Sequence, residues 1–240
     1  MGADGARSPE RVAGVIRALD ADVVALQEVE SRLGVDADAH QLNYLAQATG
    51  FVAVAGPTVL RPDSHYGNAL LTRLPVLAVR RLDLSVRGFE PRGALDVDLE
   101  TGGEPLRIIA THLGLRHRER REQVTRLLSV LEQHADRRLL LLGDINEWLP
   151  GSRTLGQLHA RLGHTPAPRT YPARRPLFAL DRIWATPMEM VADLTRYDTP
   201  LARVASDHLP VSARLRISLT RSAAPAPVAS PAVAADAVSP

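Results

Sequence analysis

The sequence predicts an α/β domain in which two mixed β-sheets pack together with helices outside. Three observations predict it. Segments of strand and helix character interleave along the 240 residues. Several strands follow one another with no helix between them, which argues against a simple doubly wound parallel sheet. Hydrophobic residues make up 45% of the chain and charged residues 23%, the balance of a soluble protein with enough chain to bury its own core. One domain is expected over residues 1–220. Residues 221–240, dominated by Ala, Pro, Val and Ser, are expected to be a disordered tail.

The elements follow in order. Ser8-Pro9-Glu10 reads as a helix start, with a serine cap, a proline in the first turn and an early acid. Val12, Val15, Ile16 and Leu19 then give that helix one apolar face. Residues 22–28 form a short β-branched and apolar run, a buried strand. Helical spacing returns over 38–49 through Leu42, Leu45 and Ala46, with Gly50 as its stop. The middle predicts strands at 51–55, 67–73, 76–84, 94–100 and 106–111. Residues 116–134 form the longest helix, with Val124, Leu127, Leu128 and Leu131 as its inward stripe. A buried strand at 139–142 and a helix at 152–162 follow. A Pro/Arg-rich loop over 165–176 leads into strands at 179–185, 190–196 and 209–219.

Composition excludes several chemistries. With no cysteine there is no disulfide framework, thiolate zinc site or cysteine nucleophile. No apolar run reaches the ~18–20 residues that span a bilayer, and the first residues lack the apolar stretch of a secretory signal. The chain as it stands is expected in the cytoplasm, with export open if a leader precedes it, and as a monomer. All 29 basic residues are arginine, against 27 acids, a net charge of +2. That balance does not by itself mark a nucleic-acid binder. Arg116, Arg118, Arg120 and Arg121 alternate with Glu119 and Glu122 and read as a solvated helix face. At 4% aromatic residues, stacking platforms are expected to be few.

The apolar strands end in polar residues. One closes on Gln27-Glu28, the next on Thr111-His112, the third on Gly143-Asp144-Ile145-Asn146. A fourth carries Asp181-Arg182, and Ser206-Asp207-His208 precedes the last. Rigid strands hold such groups in place, so strand ends on one sheet edge are where sites are assembled. In an extended segment Asp144 and Asn146 would share one side, with Ile145 turned into the core. A carboxylate beside a neutral amide can hold a water or a phosphoryl oxygen without stacking two negative charges. A tight loop would let Asp207 and His208 face one cavity. Taken singly, each residue has an ordinary reading: His112 a satisfied core histidine, Asp144 a turn residue, Glu28 a hydrated strand end, Asp181-Arg182 a surface ion pair worth about 0–1 kcal/mol. Their coincidence at strand ends is what those readings explain poorly. Oxygen-rich donors without thiols suit Mg²⁺ or Mn²⁺ better than zinc.

Six stretches, in order, resemble the endonuclease/exonuclease/phosphatase superfamily of DNase I-like hydrolases. They are Leu26-Gln27-Glu28-Val29, Tyr66-Gly67-Asn68-Ala69-Leu70-Leu71, Thr111-His112-Leu113, Gly143-Asp144-Ile145-Asn146, Leu180-Asp181-Arg182-Ile183 and Ser206-Asp207-His208-Leu209-Pro210-Val211. Each is short, but the ordered set is specific. The resemblance implies a four-layer sandwich of two mixed sheets flanked by helices. It also implies a Mg²⁺- or Mn²⁺-dependent phosphoesterase that hydrolyses a phosphodiester by in-line attack of an activated water.

Carried over position by position, Glu28 would bind the metal with Asp207 on the metal side. Asp144 and Asn146 would position or activate the water. Asp181 would orient His208, and His112 would donate to a phosphoryl oxygen. Asn68 and Arg92 would lie beside the substrate phosphate. Asp144 and His208 both stand as the general base, and nucleic acid, phospholipid and sugar phosphate all stand as substrate. The family's first strand, which ends in a metal-holding Asn, normally precedes a loop like Asp4-Gly5. The sequence opens at that loop, so the fold is expected without this strand, and the natural start is expected upstream. The alternative function is a non-catalytic family member that binds a phosphorylated partner.

Overall fold

A computed structural model describes residues 2, 5–32, 41–60, 64–132 and 138–217. The expected tail, Asp4 and the first residues of the second predicted helix lie outside these. In chain order the elements are α1 (Pro9–Leu19), β1 (Val23–Arg32), α2 (Gln41–Thr49), β2 (Val52–Leu60), β3 (Ser64–Thr72), β4 (Val76–Asp83), β5 (Gly93–Leu99), β6 (Leu106–His112), α3 (His117–Glu132), β7 (Arg138–Asp144), α4 (Arg153–Leu162), β8 (Asp181–Thr186), β9 (Val191–Arg196), α5 (Ala202–Ala205) and β10 (Val211–Leu215). The Ser8 cap read from sequence is formed, and Ser152 caps α4 in the same way. The Ser8 and Ser152 hydroxyls accept from the backbone N–H of Arg11 and Leu155 at the starts of α1 and α4.

A five-stranded sheet runs β4-β5-β6-β7-β8, antiparallel except for the parallel pair β6–β7, which α3 connects. Facing it are a three-stranded sheet, β1-β3-β2, and the hairpin-like pair β9–β10. Alternation along the strands divides the core into layers. Leu106, Ile108 and Ala110 of β6 and Leu140 of β7 point inward, against Val54 and Leu70 of the opposite sheet. Ile109, Leu139, Leu141 and Trp184 point outward, under Val124, Leu127 and Leu131 of α3 and Leu155, Leu158 and Leu162 of α4. On the far side Ala69 and Leu71 of β3 pack against Ala13 and Ile16 of α1 and Leu42 and Leu45 of α2. The result is helix–sheet–sheet–helix, the expected four layers.

β1 pairs with β3 and β10 with β9. Between β1 and β10 lies a cavity of about 650 Å³, floored by Leu106, Ile108, Leu140 and Leu142. Among the described residues no helix is long and apolar enough to cross a membrane.

Two sequence readings are corrected and one element is new. The first strand does not end at Glu28: β1 continues to Arg32 through a bulge between Leu26 and Val29, where Glu28 has φ +58°. The start of α3 is not simply a solvated face. Arg120 and Glu119 are buried, and the Arg120 guanidinium reaches Glu147, whose carboxylate lies 3.3 Å from Nε. The short α5 gives no periodicity to read, yet Ala202 and Ala205 pack with Val15, Ala173 and Leu209, anchoring the chain just before β10.

Gly143 sits where no side chain fits. Its φ is +135°, and a Cβ there would stand 1.9 Å from the Thr111 carbonyl oxygen of β6. Gly156, inside α4, has open space around it. Gly143→Ala should therefore lower unfolding free energy by at least ~2 kcal/mol, whereas Gly156→Ala should raise it by about 0.5–1 kcal/mol. Urea titrations of the two variants check both signs.

Candidate active site

Register assembles the centre of the site. His112 is paired with Asp144 across β6–β7, and Asp144 with Asp181 across β7–β8. The three residues thus form one row over three adjacent strands. Counting back in twos, His112 shares a face with Ala110 and Ile108, Asp144 with Leu142 and Leu140, and Asp181 with Ile183 and Ala185. That is the face lining the inter-sheet core. The row is where this apolar layer gives way to polar chemistry. His208 joins it from the loop before β10, where its backbone N–H donates to the Ser206 hydroxyl.

Asp144 is the hub. Its Oδ1 accepts from the backbone N–H of Asn146 at 2.8 Å. Its Oδ2 stands 3.6 Å from Nε2 of His112 and 4.0 Å from Nε2 of His208. The pair Asp144 and Asn146 does converge, with Ile145 fully buried between them. The cause is not an extended pleat, however: Asn146 has φ +52°, and the aspartate side chain closes a tight turn onto it. The Asn146 amide donates to the Leu113 carbonyl and lies 3.0 Å from His112 Nε2.

His208 is held by Asp181. Its Nδ1 donates to Asp181 Oδ2 at 2.8 Å, and the Thr170 hydroxyl donates to the same oxygen at 2.5 Å. The Tyr171 ring lies 4.8 Å from the imidazole, centroid to centroid. Burial pulls the His208 pKa down, but the hydrogen bond and charge of Asp181, with the charges of Asp144 and Asp207, outweigh it and hold it up at about 9. His112 goes the other way. Burial, then the charges of Arg92 and His208, press its pKa down to about 3, so its ring is neutral. The Arg92 guanidinium, which can only donate, meets its Nδ1 at 3.2 Å. The Asn146 amide nitrogen, also a donor, meets Nε2 at 3.0 Å, so donors face both ring nitrogens of the neutral imidazole. Burial and the neighbouring Asp181 charge raise the Asp144 pKa, and Glu28 adds to the rise.

The remaining expected residues surround this centre. Asn68 is buried and its amide donates to the Gly93 carbonyl, so it also positions the start of β5. Asn68, Arg92, His112 and Glu28 line one small pocket with Tyr66. Arg92 is buried, with its Nε lacking a hydrogen-bond partner, and Glu90 lies 3.4 Å from its NH1. Glu28 is exposed on its bulge. It is tied to Tyr66, whose phenol pKa is raised by burial and by the charge and hydrogen bond of Glu28. Asp207 acts on His208 through its charge, and its carbonyl accepts from Ala173.

The tightest group of metal-type donors is Asp144, Asp181 and His208, with ligand atoms within 4.8 Å of one another. Glu28 and Asp207 lie outside that group. Sequence reasoning passed over three neighbours: Thr170, Tyr171 and Tyr66. Tyr66 lay within a stretch quoted for the resemblance. Thr170 and Tyr171 gave no signal beyond standing in the Pro/Arg-rich loop.

A family model, the Endonuclease/Exonuclease/phosphatase family, matches residues 2–208. The chain is 31% identical over 219 residues to the uncharacterized protein YbhP of Escherichia coli K12, covering 84% of this chain and 86% of that protein. An endonuclease/exonuclease/phosphatase of Beutenbergia cavernae superposes with a TM-score of 0.69 at 24% identity, covering 90% of this chain and 68% of that one. A mannosyl-6-phosphatase of Bacteroides thetaiotaomicron superposes with a TM-score of 0.64 at 16% identity, covering 86% and 89%.

The His208–Asp181 pair has a direct readout. In Asp181→Asn the burial of the imidazole is opposed only by more distant charges. The His208 pKa should then drop from about 9 toward the 6.5 of an ordinary histidine, followed by NMR titration of the ring protons. A value still near 9 would remove Asp181 as its partner.

Proposed function

The chain belongs to the endonuclease/exonuclease/phosphatase family, and on that premise we propose that it hydrolyses a phosphodiester by in-line attack of a water held at Asp144. The observation that carries the reading is the position of Asp144 Oδ2 between two imidazole Nε2 atoms, at 3.6 and 4.0 Å. One of these rings is neutral and the other is held cationic by a second aspartate. Proton donors and an acceptor of unequal pKa around one point are what proton transfer during ester cleavage requires.

In this reading Asp144 and Asn146 orient the water, and Asp144, its pKa raised toward neutrality, takes the water proton. The neutral His112 donates its ring hydrogen to a phosphoryl oxygen, between Arg92 on one side of the ring and Asn146 on the other. The partnerless Nε of Arg92 leaves a buried donor beside Asn68 for the same phosphate. His208, oriented by Asp181 and charged, stabilises negative charge that builds on the phosphoryl group.

The site fits a hard divalent cation, Mg²⁺ or Mn²⁺. The carboxylates of Glu28, Asp144, Asp181 and Asp207 influence one another or His208 across one centre, and their oxygens are the donors such ions take. Glu28 and Asp207 would hold it, facing the Asp144–Asp181–His208 group. When bound, it would neutralise charge on the phosphoryl and departing oxygens.

Asp144→Asn and His208→Ala should each reduce turnover of a generic phosphodiester such as bis(p-nitrophenyl) phosphate at least ~100-fold, and EDTA should abolish it until Mg²⁺ or Mn²⁺ is restored. A panel of DNA, RNA, phospholipids and sugar phosphates assayed with each metal then ranks substrates. Activity indifferent to EDTA, or near-normal rates in both variants, would sink the mechanism.

A further inference from the structure

Two loops beside the site gather apolar side chains that the hydrolytic reading does not use. The first, between β7 and α4, exposes Trp148 and Leu149, at 38% and 68% of their surface. The second, before β8, exposes Leu177 and Phe178, at 49% and 38%. The loops are joined into one patch. The Trp148 ring meets Phe178 edge to face at 4.8 Å and Tyr171 at 5.7 Å. Tyr171 and Phe178 also exchange backbone hydrogen bonds, making the second loop a closed finger. Tyr171 in turn lies against His208. The patch is therefore continuous with the catalytic row, and its Leu and Phe side chains face water where a soluble surface would bury or replace them.

Its rim is cationic. Arg174 and Arg175 sit at the tip of the finger, with a turn closed from the Arg175 N–H to the Pro172 carbonyl, and Arg153 opens α4 beside the first loop. All three are exposed, and among the described residues none is in an ion pair.

We infer that this patch docks the protein onto an anionic lipid surface, with Leu149, Leu177 and the ring edges entering the interface and the arginines resting at headgroup level. Aliphatic and aromatic side chains together with unpaired arginines are the combination that interfacial binding uses. A track for single-stranded nucleic acid would need open ring faces in series, whereas here Trp148 is engaged edge to face by both of its aromatic neighbours and the most exposed apolar residues are leucines. Docking through this patch would bring the His112–Asp144–Asp181 row up to phosphoesters in the bilayer plane. That last consequence rests on the hydrolytic reading, but the docking itself does not.

The test is sedimentation of the full chain, in EDTA, with vesicles of phosphatidylcholine alone and of phosphatidylcholine mixed with phosphatidylserine. Binding is expected to the mixed vesicles and to weaken with added salt. It should fall at least ~10-fold in Leu149→Glu/Leu177→Glu and, separately, in Arg174→Glu/Arg175→Glu. Both pairs are exposed, so circular dichroism and hydrolysis of a soluble phosphodiester should remain as in the parent. Sedimentation with neither vesicle, or equal sedimentation of parent and variants, overturns the proposal. So does a single-stranded oligonucleotide that binds through these residues while vesicles do not. Because no turnover occurs in EDTA, failure here leaves the hydrolytic reading standing, and failure of that reading leaves the docking intact.

Discussion

The constraint on which the site depends is the pairing register of three neighbouring strands. Side chains alternate along a strand, so a one-residue slip turns every one of them to the other face. β6, β7 and β8 are locked against such a slip twice over. Their inward residues form an apolar layer that packs on the opposite sheet and floors the cavity beside β1, and their outward residues Ile109, Leu141 and Trp184 are fully buried under α3 and α4. With both faces committed, the row of His112, Asp144 and Asp181 has one possible alignment. Gly143 completes the lock, since the close approach of Thr111 from β6 leaves no room for a side chain there.

Around that rigid row the more adjustable groups come from loops and irregularities. Glu28 reaches the edge of the site from a bulge, and Asn146 from a turn closed by Asp144 itself. His208 stands on a loop whose approach is set by the small α5 cluster behind it. Of the three non-glycine residues at positive φ among the described residues, Asp20 caps the end of α1, and Glu28 and Asn146 border the site. Such conformations cost on the order of 1–3 kcal/mol each and persist where surrounding structure enforces them. The placement of Glu28 and Asn146 beside the His112–Asp144–Asp181 row is what pre-organisation of a site predicts.

The parts legible in sequence are those that local pattern dictates. Ser8-Pro9-Glu10 announces a helix start because the serine side chain answers a free N–H group of the first turn. The apolar runs that end in Thr111-His112 and Gly143-Asp144 could be followed because alternation carries the core face straight to the polar residue. What was not legible depends on partners far along the chain. Nothing near Arg120 says that Glu147 will bury it, and the charge run there reads as hydrated until the two meet. Trp148, Tyr171 and Phe178 are few and scattered along the chain, so nothing in composition announces the single patch into which tertiary structure gathers them. The bulge at Glu28 has no glycine to mark it, so the strand was read as ending where it only bends.

Two buried aspartates on one sheet show why charge compensation, more than burial, separates scaffold from site. Asp96 of β5 is fully buried, and burial alone would raise its pKa. Arg80 and Arg107 each grip it with two hydrogen bonds of 2.7–2.9 Å, and the net effect is a lowered pKa. It is a stably charged strut between β4, β5 and β6. Asp144, two strands away, is nearly as buried, but among the described residues no arginine pairs with it. It meets instead a neutral imidazole, a shared imidazolium and the charges of two further carboxylates, so its pKa is raised. A fold that can supply paired arginines to one aspartate and withholds them from another leaves the second with an unmet electrostatic demand. A bound cation or a proton can answer it, and a group able to exchange one for the other is equipped for chemistry in a way that the paired aspartate is not.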